Sequence, residues 1–114
     1  MLGAITGDIV GSRFEFDNIK TKDFELFTDE CEFTNDSVMS FAIAKSLLEY
    51  GGQMDVLGGL AVKNMRELGN KYCYGHYGHS FCKWLRDDWR TAYNSYRNGV
   101  WLCAFHPAAL PPVL

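Results

Sequence analysis

The 114-residue chain has little of what marks several protein classes. It has no excess of positive charge: 11 Lys and Arg stand against 14 Asp and Glu, for a net charge of −3. A nucleic-acid interface needs a basic footprint, so no nucleic-acid partner is expected. No apolar run approaches the roughly 20 residues that cross a bilayer, so no membrane partner is expected either. The first residues lack the Lys/Arg start of a secretory signal, and a cytoplasmic location is the corresponding expectation. Four cysteines, Cys31, Cys73, Cys82 and Cys103, are too sparse for a disulfide-held scaffold and in the cytosol would be reduced thiols. Internal repeats and low-complexity linkers are absent.

What is present suits a packed interior. Hydrophobic residues make up 47% of the chain and aromatic residues 15%. At this length the chain forms at most one small domain, burying about two-thirds of its unfolded surface.

The pattern is helical. Residues Leu2 to Val10 read as a first helix, with Leu2, Ala4, Ile5 and Ile9 on one face. Gly3, Gly7 and Gly11 recur every four residues and leave one stripe smooth, open to close approach by a helix or a ligand. Asp8 has no partner nearby in sequence and could cap or face a cleft. Residues 12 to 33 alternate charge and aromatics without a period and read as an ordered loop with a solvated surface. A second helix runs from Asn35 or Asp36 to about Tyr50, stopped by Gly51-Gly52. A third runs from about Asp55 to Leu68, with Leu57, Leu60, Ala61, Met65 and Leu68 in helical register and Gly69 as the residue past its end. A tyrosine- and glycine-rich loop follows over residues 70 to 79, then a short helix with Phe81, Trp84 and Leu85 on one side.

The second helix organises the chain. It is preceded by Phe33 and begins within Thr34-Asn35-Asp36-Ser37, four consecutive side-chain oxygens. Thr34 or Asn35 can take the N-cap position and accept a bond from an orphan backbone N–H. The run that follows, Val38 to Glu49, is apolar around most of its circumference and predicts a mostly buried helix. Two readings stand side by side. The polar start is an ordinary helix cap, or it is a set of oxygen ligands on a rigid support, which is what a hard cation requires.

Four segments occur in one order: Gly3-Ala4-Ile5-Thr6-Gly7-Asp8-Ile9-Val10-Gly11-Ser12-Arg13-Phe14-Glu15-Phe16, Phe33-Thr34-Asn35-Asp36-Ser37-Val38-Met39, Gly75-His76-Tyr77-Gly78-His79-Ser80-Phe81 and Asn94-Ser95-Tyr96-Arg97-Asn98-Gly99. Together they resemble the N-terminal part of the ADP-ribosylglycohydrolase (DraG-like) family, over residues 1 to about 99. The resemblance implies an all-α fold, the N-terminal portion of an orthogonal multi-helix domain. It implies a hydrolase that cleaves the glycosidic bond joining ADP-ribose to a protein side chain, using two divalent cations, Mg²⁺ or Mn²⁺. Its partner would be an ADP-ribosylated protein or a small molecule containing ADP-ribose.

Carried over by position, Thr34, Asn35 and Asp36 would supply a first metal half-site, with Asp36 also catalytic. Glu15 matches a loop acid that gates or contacts the substrate ribose, and a carboxylate there could move a proton. Asp8 would face the cleft on the substrate side. Tyr77 and Gly78 would lie near the adenosine, and Asn98 and Gly99 near the ribose and phosphates. Two departures stand out. Asn35 replaces the first Asp of the family's Thr-Asp-Asp-Thr/Ser, which keeps an oxygen but removes a charge and weakens cation binding. The family's later Asp-x-Asp-Ser/Thr motif has no counterpart in these 114 residues. In the last family-like segment, Arg97 stands where the first glycine of a Gly-Asn-Gly loop is usual.

Residues 100 to 114 change character. They carry no Asp, Glu, Lys or Arg and hold Pro107, Pro111 and Pro112. The expectation is an atypical apolar tail that follows a broken reading frame after Gly99. The leading reading is therefore a truncated hydrolase, inactive alone, with uncovered apolar helix faces that favour self-association. A second is a non-catalytic remnant that binds ADP-ribose or a partner subunit. A third is a zinc-binding helical module, because Cys73-x-x-His76-x-x-His79-x-x-Cys82 offers four zinc-type ligands.

Overall fold

In the computed structural model the described residues are 1–73, 77–87 and 93. They are all-helical and contain no strand. The first helix, α1, spans Leu2–Gly11 and runs into a 3₁₀ turn at Ser12–Phe14. Helix α2 spans Asn35–Glu49, α3 Met54–Lys71 and α4 His79–Asp87. No helix among the described residues is long and apolar enough to cross a membrane.

Helix α3 is the central packing partner. Its buried residues, Leu57, Ala61, Asn64, Met65 and Gly69, form one stripe at helical spacing. It packs chiefly against α2; α1 lies on α2, and α4 lies on α3. The core gathers Ala42, Met65, Phe81, Trp84 and Leu85, flanked by Met39, Ile43, Val62, Leu68, Tyr77 and Tyr93. Phe81 stacks on Trp84 with ring centroids 5.3 Å apart, and Tyr93 meets Phe81 edge-on at 4.9 Å. Such offset and edge-on pairs are the favoured aromatic geometries. Helix α3 also caps α4: Arg66 Nη1 donates to the Trp84 carbonyl, and Asn70 Nδ2 donates to the Leu85 carbonyl at 3.0 Å. These carbonyls sit near a helix end, where no intrahelical partner remains.

Two helix ends follow from local chemistry. Gly51 and Gly52 take φ of +60° and +84°, the left-handed region where a Cβ is strained, and they end α2. Gly69 corrects an expectation: α3 continues through it to Lys71. An ideal Cβ on Gly69 would lie 2.7 Å from Leu85 Cδ2. The glycine serves the α3–α4 crossing, not a helix end.

The burial of α2 is a second correction. Its buried residues are Ser37, Val38, Ala42 and Ser46, one narrow stripe. Phe41 is 54% exposed and Leu48 86% exposed. Two serines therefore point inward while large apolar side chains point outward. Ser46 is held inside by donating to the Ala42 carbonyl at 2.8 Å and accepting from Asn64 Nδ2 at 3.0 Å. Asn64 Nδ2 also donates to Glu49 Oε2 at 3.0 Å. This buried polar link fixes α2 against α3, since buried polar groups are tolerated when paired. Helix α1, apolar in composition, has no buried residue.

Candidate functional site

The site forms where α1 crosses the beginning of α2. Thr34 is the N-cap of α2 in an extended conformation, and its Oγ1 accepts the Asp36 N–H at 3.3 Å. Asp8, from the middle of α1, supplies a second cap from outside. Its Oδ2 accepts the Thr34 N–H at 2.8 Å, the Ser37 N–H at 3.1 Å and the Ser37 hydroxyl at 2.6 Å. Its Oδ1 accepts the Thr34 hydroxyl. A carboxylate at a helix N-terminus also meets the positive end of the helix dipole. Asp8 therefore both caps α2 and borders a cleft.

That cleft is about 420 Å³ and is lined by Gly7, Asp8, Gly11, Ser12, Phe14, Glu15, Asn18, Thr34 and Asp36. The floor is the glycine stripe of α1: an added Cβ at Gly7 or Gly11 would meet nothing within 4 Å. The rim is held by Arg13 and Ser12. Arg13 Nη1 donates to Thr28 Oγ1 at 2.9 Å, and Nη2 donates to the Glu25 carbonyl. Its guanidinium sits over the Phe14 ring at 4.5 Å, and Phe14 meets Phe24 edge-on at 5.2 Å. Ser12 Oγ donates to the Ile9 carbonyl at 2.8 Å and accepts the Glu32 N–H at 3.0 Å. The loop is thus tied down at several points, and Glu15 is presented at its start.

The electrostatics differ for the two aspartates. Burial works to raise the Asp8 carboxyl, but the hydrogen bonds from Ser37 and Thr34 together outweigh it and hold Asp8 below the usual carboxylate value. Asp36 is pushed above that value, first by burial and then by the negative charges of Asp8 and Glu15. Like charges around one cleft disfavour ionisation of the least supported member.

This donor set fits a hard divalent cation in kind. The groups are oxygens, three of them carboxylates, and a cation would offset the burial and the charge repulsion that raise Asp36. In number the set is short: such ions take about six oxygens. Among the described residues no group of three or more His, Cys, Asp or Glu gathers in a way that could hold a metal.

Of the residues singled out from sequence, Asp8, Glu15, Thr34 and Asp36 all line the cleft. Asn35, half-buried as the first residue of α2, is not among its lining residues. Tyr77 is not there either. It stacks on Phe81 at 5.2 Å and packs against the core. Gly78 is exposed, and its carbonyl accepts the Cys82 N–H at 3.0 Å in the first turn of α4. Asn98, Gly99 and the tail from residue 100 lie outside the described residues. For the zinc pattern, His76 also lies outside them, and Cys73, His79 and Cys82 do not form a metal-holding group.

Sequence reasoning assigned no role to Ser12, Phe14 or Asn18, and named Ser37 only within the four-oxygen run read as cap or ligand set. Ser37 had a local signal, its place in the polar run; Asn18 had none, since only the loop path brings it to the cleft. Compared with protein-family models, curated proteins and solved structures, the chain matches none.

Proposed function

We propose that the chain carries the N-terminal half of an ADP-ribosylglycohydrolase-like active site, in the N-terminal portion of that orthogonal multi-helix fold. The reading rests on the ordered motifs described above, and one structural observation carries it. Asp8, Glu15, Thr34 and Asp36, contributed by α1, the loop after it and the start of α2, surround one cleft. Thr34 and Asp36 are the residues that would hold a divalent cation, with Asn35 adjoining them. A bound Mg²⁺ or Mn²⁺ there would supply Lewis-acid chemistry toward the sugar hydroxyls and a water. Glu15, which lines the same cleft, is the carboxylate that would meet the ribose and accept or return a proton as the glycosidic bond is hydrolysed. The glycine floor gives a sugar room against the α1 backbone.

A second reading is favoured by the short ligand set. With no group of three metal-holding side chains among the described residues, the chain would bind ADP-ribose or a partner subunit without turning it over. The experiment is ADP-ribose release from an ADP-ribosylated protein in Mg²⁺ or Mn²⁺, run alongside calorimetric binding of free ADP-ribose. Turnover abolished by Asp36→Ala supports the hydrolase. ADP-ribose binding without turnover supports the remnant. Neither turnover nor binding sinks both readings.

A further inference from the structure

We propose that the apolar tail of this chain docks on its own helices: residues 101–105 occupy the hollow between the first two turns of α2 and the end of α3, with the Trp101 indole as anchor. Among the described residues, this pocket shares no lining residue with the cleft, and its occupation needs no metal.

The pocket is about 310 Å³ and is lined, among the described residues, by Phe33, Val38, Phe41, Leu68 and Tyr72. None of the five carries a charge. Phe33 and Phe41 are 55% and 54% exposed, and Phe33 meets Tyr72 edge-on at 6.1 Å. The walls are therefore aromatic rings left facing outward. Cover from within the chain has to come from residues 74–76, 88–92 or 94–114, which lie outside the described residues. Of these, the stretch from residue 100 matches the pocket in kind. It holds Trp101, Leu102 and Phe105 near its start and has no Asp, Glu, Lys or Arg, within the longest charge-free run of the sequence. An uncharged segment gives up no ion hydration on entering an uncharged pocket. The hydrophobic drive is non-directional and asks only for apolar area, so even a tail of accidental sequence can supply it. One aromatic side chain buries about 150–250 Å², which suits a hollow of this size.

The path is short. Tyr93, the last described residue, meets Phe81 at 4.9 Å and Trp84 at 5.9 Å. Leu68, on the pocket wall, packs against the core cluster that contains Phe81 and Trp84. The Tyr93 anchor and the pocket thus border the same cluster. From Tyr93 to Trp101 the chain can reach roughly 26–29 Å when extended. Tethering at that range gives an effective concentration on the order of mM. A second copy of the chain therefore displaces the tail only when its own concentration approaches that value.

The full-length chain, labelled with ¹³C and kept dilute, is examined by nuclear Overhauser spectroscopy. A mixture of labelled and unlabelled chain is then measured with isotope filtering that passes only contacts between copies. Contacts from the Trp101 ring protons to the rings of Phe33, Phe41 and Tyr72 are expected in the first sample and not in the filtered mixture. Trp101→Ser is expected to abolish them, to shift the Phe33 and Phe41 ring signals and to raise binding of the dye ANS, at unchanged helix content. If that variant loses helix content, the wild-type spectra alone decide. Contacts found only between copies place a second chain in the pocket and overturn the inference. It is overturned equally if residues 101–105 make no contact with the pocket, or if the Phe33 and Phe41 signals do not respond to Trp101→Ser.

Discussion

Asp8 on α1 and Ser37 on α2 meet through two hydrogen bonds on a single carboxylate oxygen, at 2.6 and 3.1 Å. One α1 side chain thus completes the first turn of α2. Asp8→Ala would leave the Ser37 and Thr34 N–H groups without their acceptor. Hydrogen bonds to a charged group contribute about 1.5–3 kcal/mol, and caps about 1 kcal/mol. We expect the variant to lose roughly 2–3 kcal/mol in urea unfolding, more than Thr34→Ala, which removes the local cap and one Asp8 contact.

The same carboxylate gives an acid-side prediction. Its pKa lies below the ordinary 3.8 in the folded chain, so the folded state holds this proton less tightly than the unfolded state. Its stabilising contribution is complete above the ordinary value and is lost as pH falls through the lowered one. Asp36 works the other way, because its raised pKa makes ionisation costly in the fold. In an Asp36→Asn background the urea midpoint should therefore fall below about pH 4, and adding Asp8→Asn should flatten that limb.

Two glycines test opposite uses of a missing Cβ. At Gly69 an alanine methyl would lie 2.7 and 3.0 Å from the Leu85 methyls and 3.4 Å from Met39 Cε. Leu85 is itself buried, so its methyls have little room to move. Overpacking costs about 1–3 kcal/mol, against a helix-propensity gain of about 1 kcal/mol. Gly69→Ala should be destabilising, and Leu85→Ala in the same chain should relieve part of the loss. At Gly7 nothing lies within 4 Å. Gly7→Ala should raise stability by about 0.5–1 kcal/mol while narrowing the cleft floor. Thermal melts with and without ADP-ribose would separate the two effects.

Tyr77 carries an alkaline prediction. Burial first, with charge repulsion from Cys73 and Cys82 adding to it, pushes its pKa from 10.0 up to about 12. The folded chain keeps the phenol proton where the unfolded chain loses it. Stability from this source is present below pH 10 and is lost as pH rises toward 12. The Tyr77 hydroxyl is buried with no hydrogen-bond partner among the described residues. Tyr77→Phe should therefore be neutral or stabilising near neutral pH, by on the order of 1 kcal/mol, and should flatten the alkaline limb of the unfolding curve.

The helices were legible where punctuation is local. Thr34 begins α2, and the Gly51-Gly52 pair ends it through positive φ. Three features were not legible, for one shared reason. Gly69 reads as a helix end until Leu85 is seen lying across it. Ser46 reads as part of a polar stripe until Asn64 meets it from α3. Asp8 reads as an isolated acid until α2 brings four donors to it. Each depends on a residue far away in sequence, which no local pattern encodes. Asp8, Glu15, Thr34 and Asp36 were named from motif order, and their convergence on one cleft emerges only from the crossing of α1 and α2.

The outward face of α2 leads to a last prediction. Phe41 and Leu48 are one helix face, two turns apart, and both are mostly exposed. Phe41 also joins Phe33, Val38, Leu68 and Tyr72 around an apolar pocket of about 310 Å³. Large apolar side chains on a helix surface gain free energy when another surface covers them, at about 25 cal/mol per Å². A second copy of the chain can supply that cover at high concentration, so self-association is expected to rise with concentration and to resist salt. Ion pairing would weaken in salt, whereas apolar contact does not. Replacing Phe41 and Leu48 by Ser should shift the sedimentation-velocity profile toward monomer at unchanged helix content. Association that persists in the double variant would move the sticky surface elsewhere, and the exposed apolar residues of α1, Leu2 foremost, would be the next to replace.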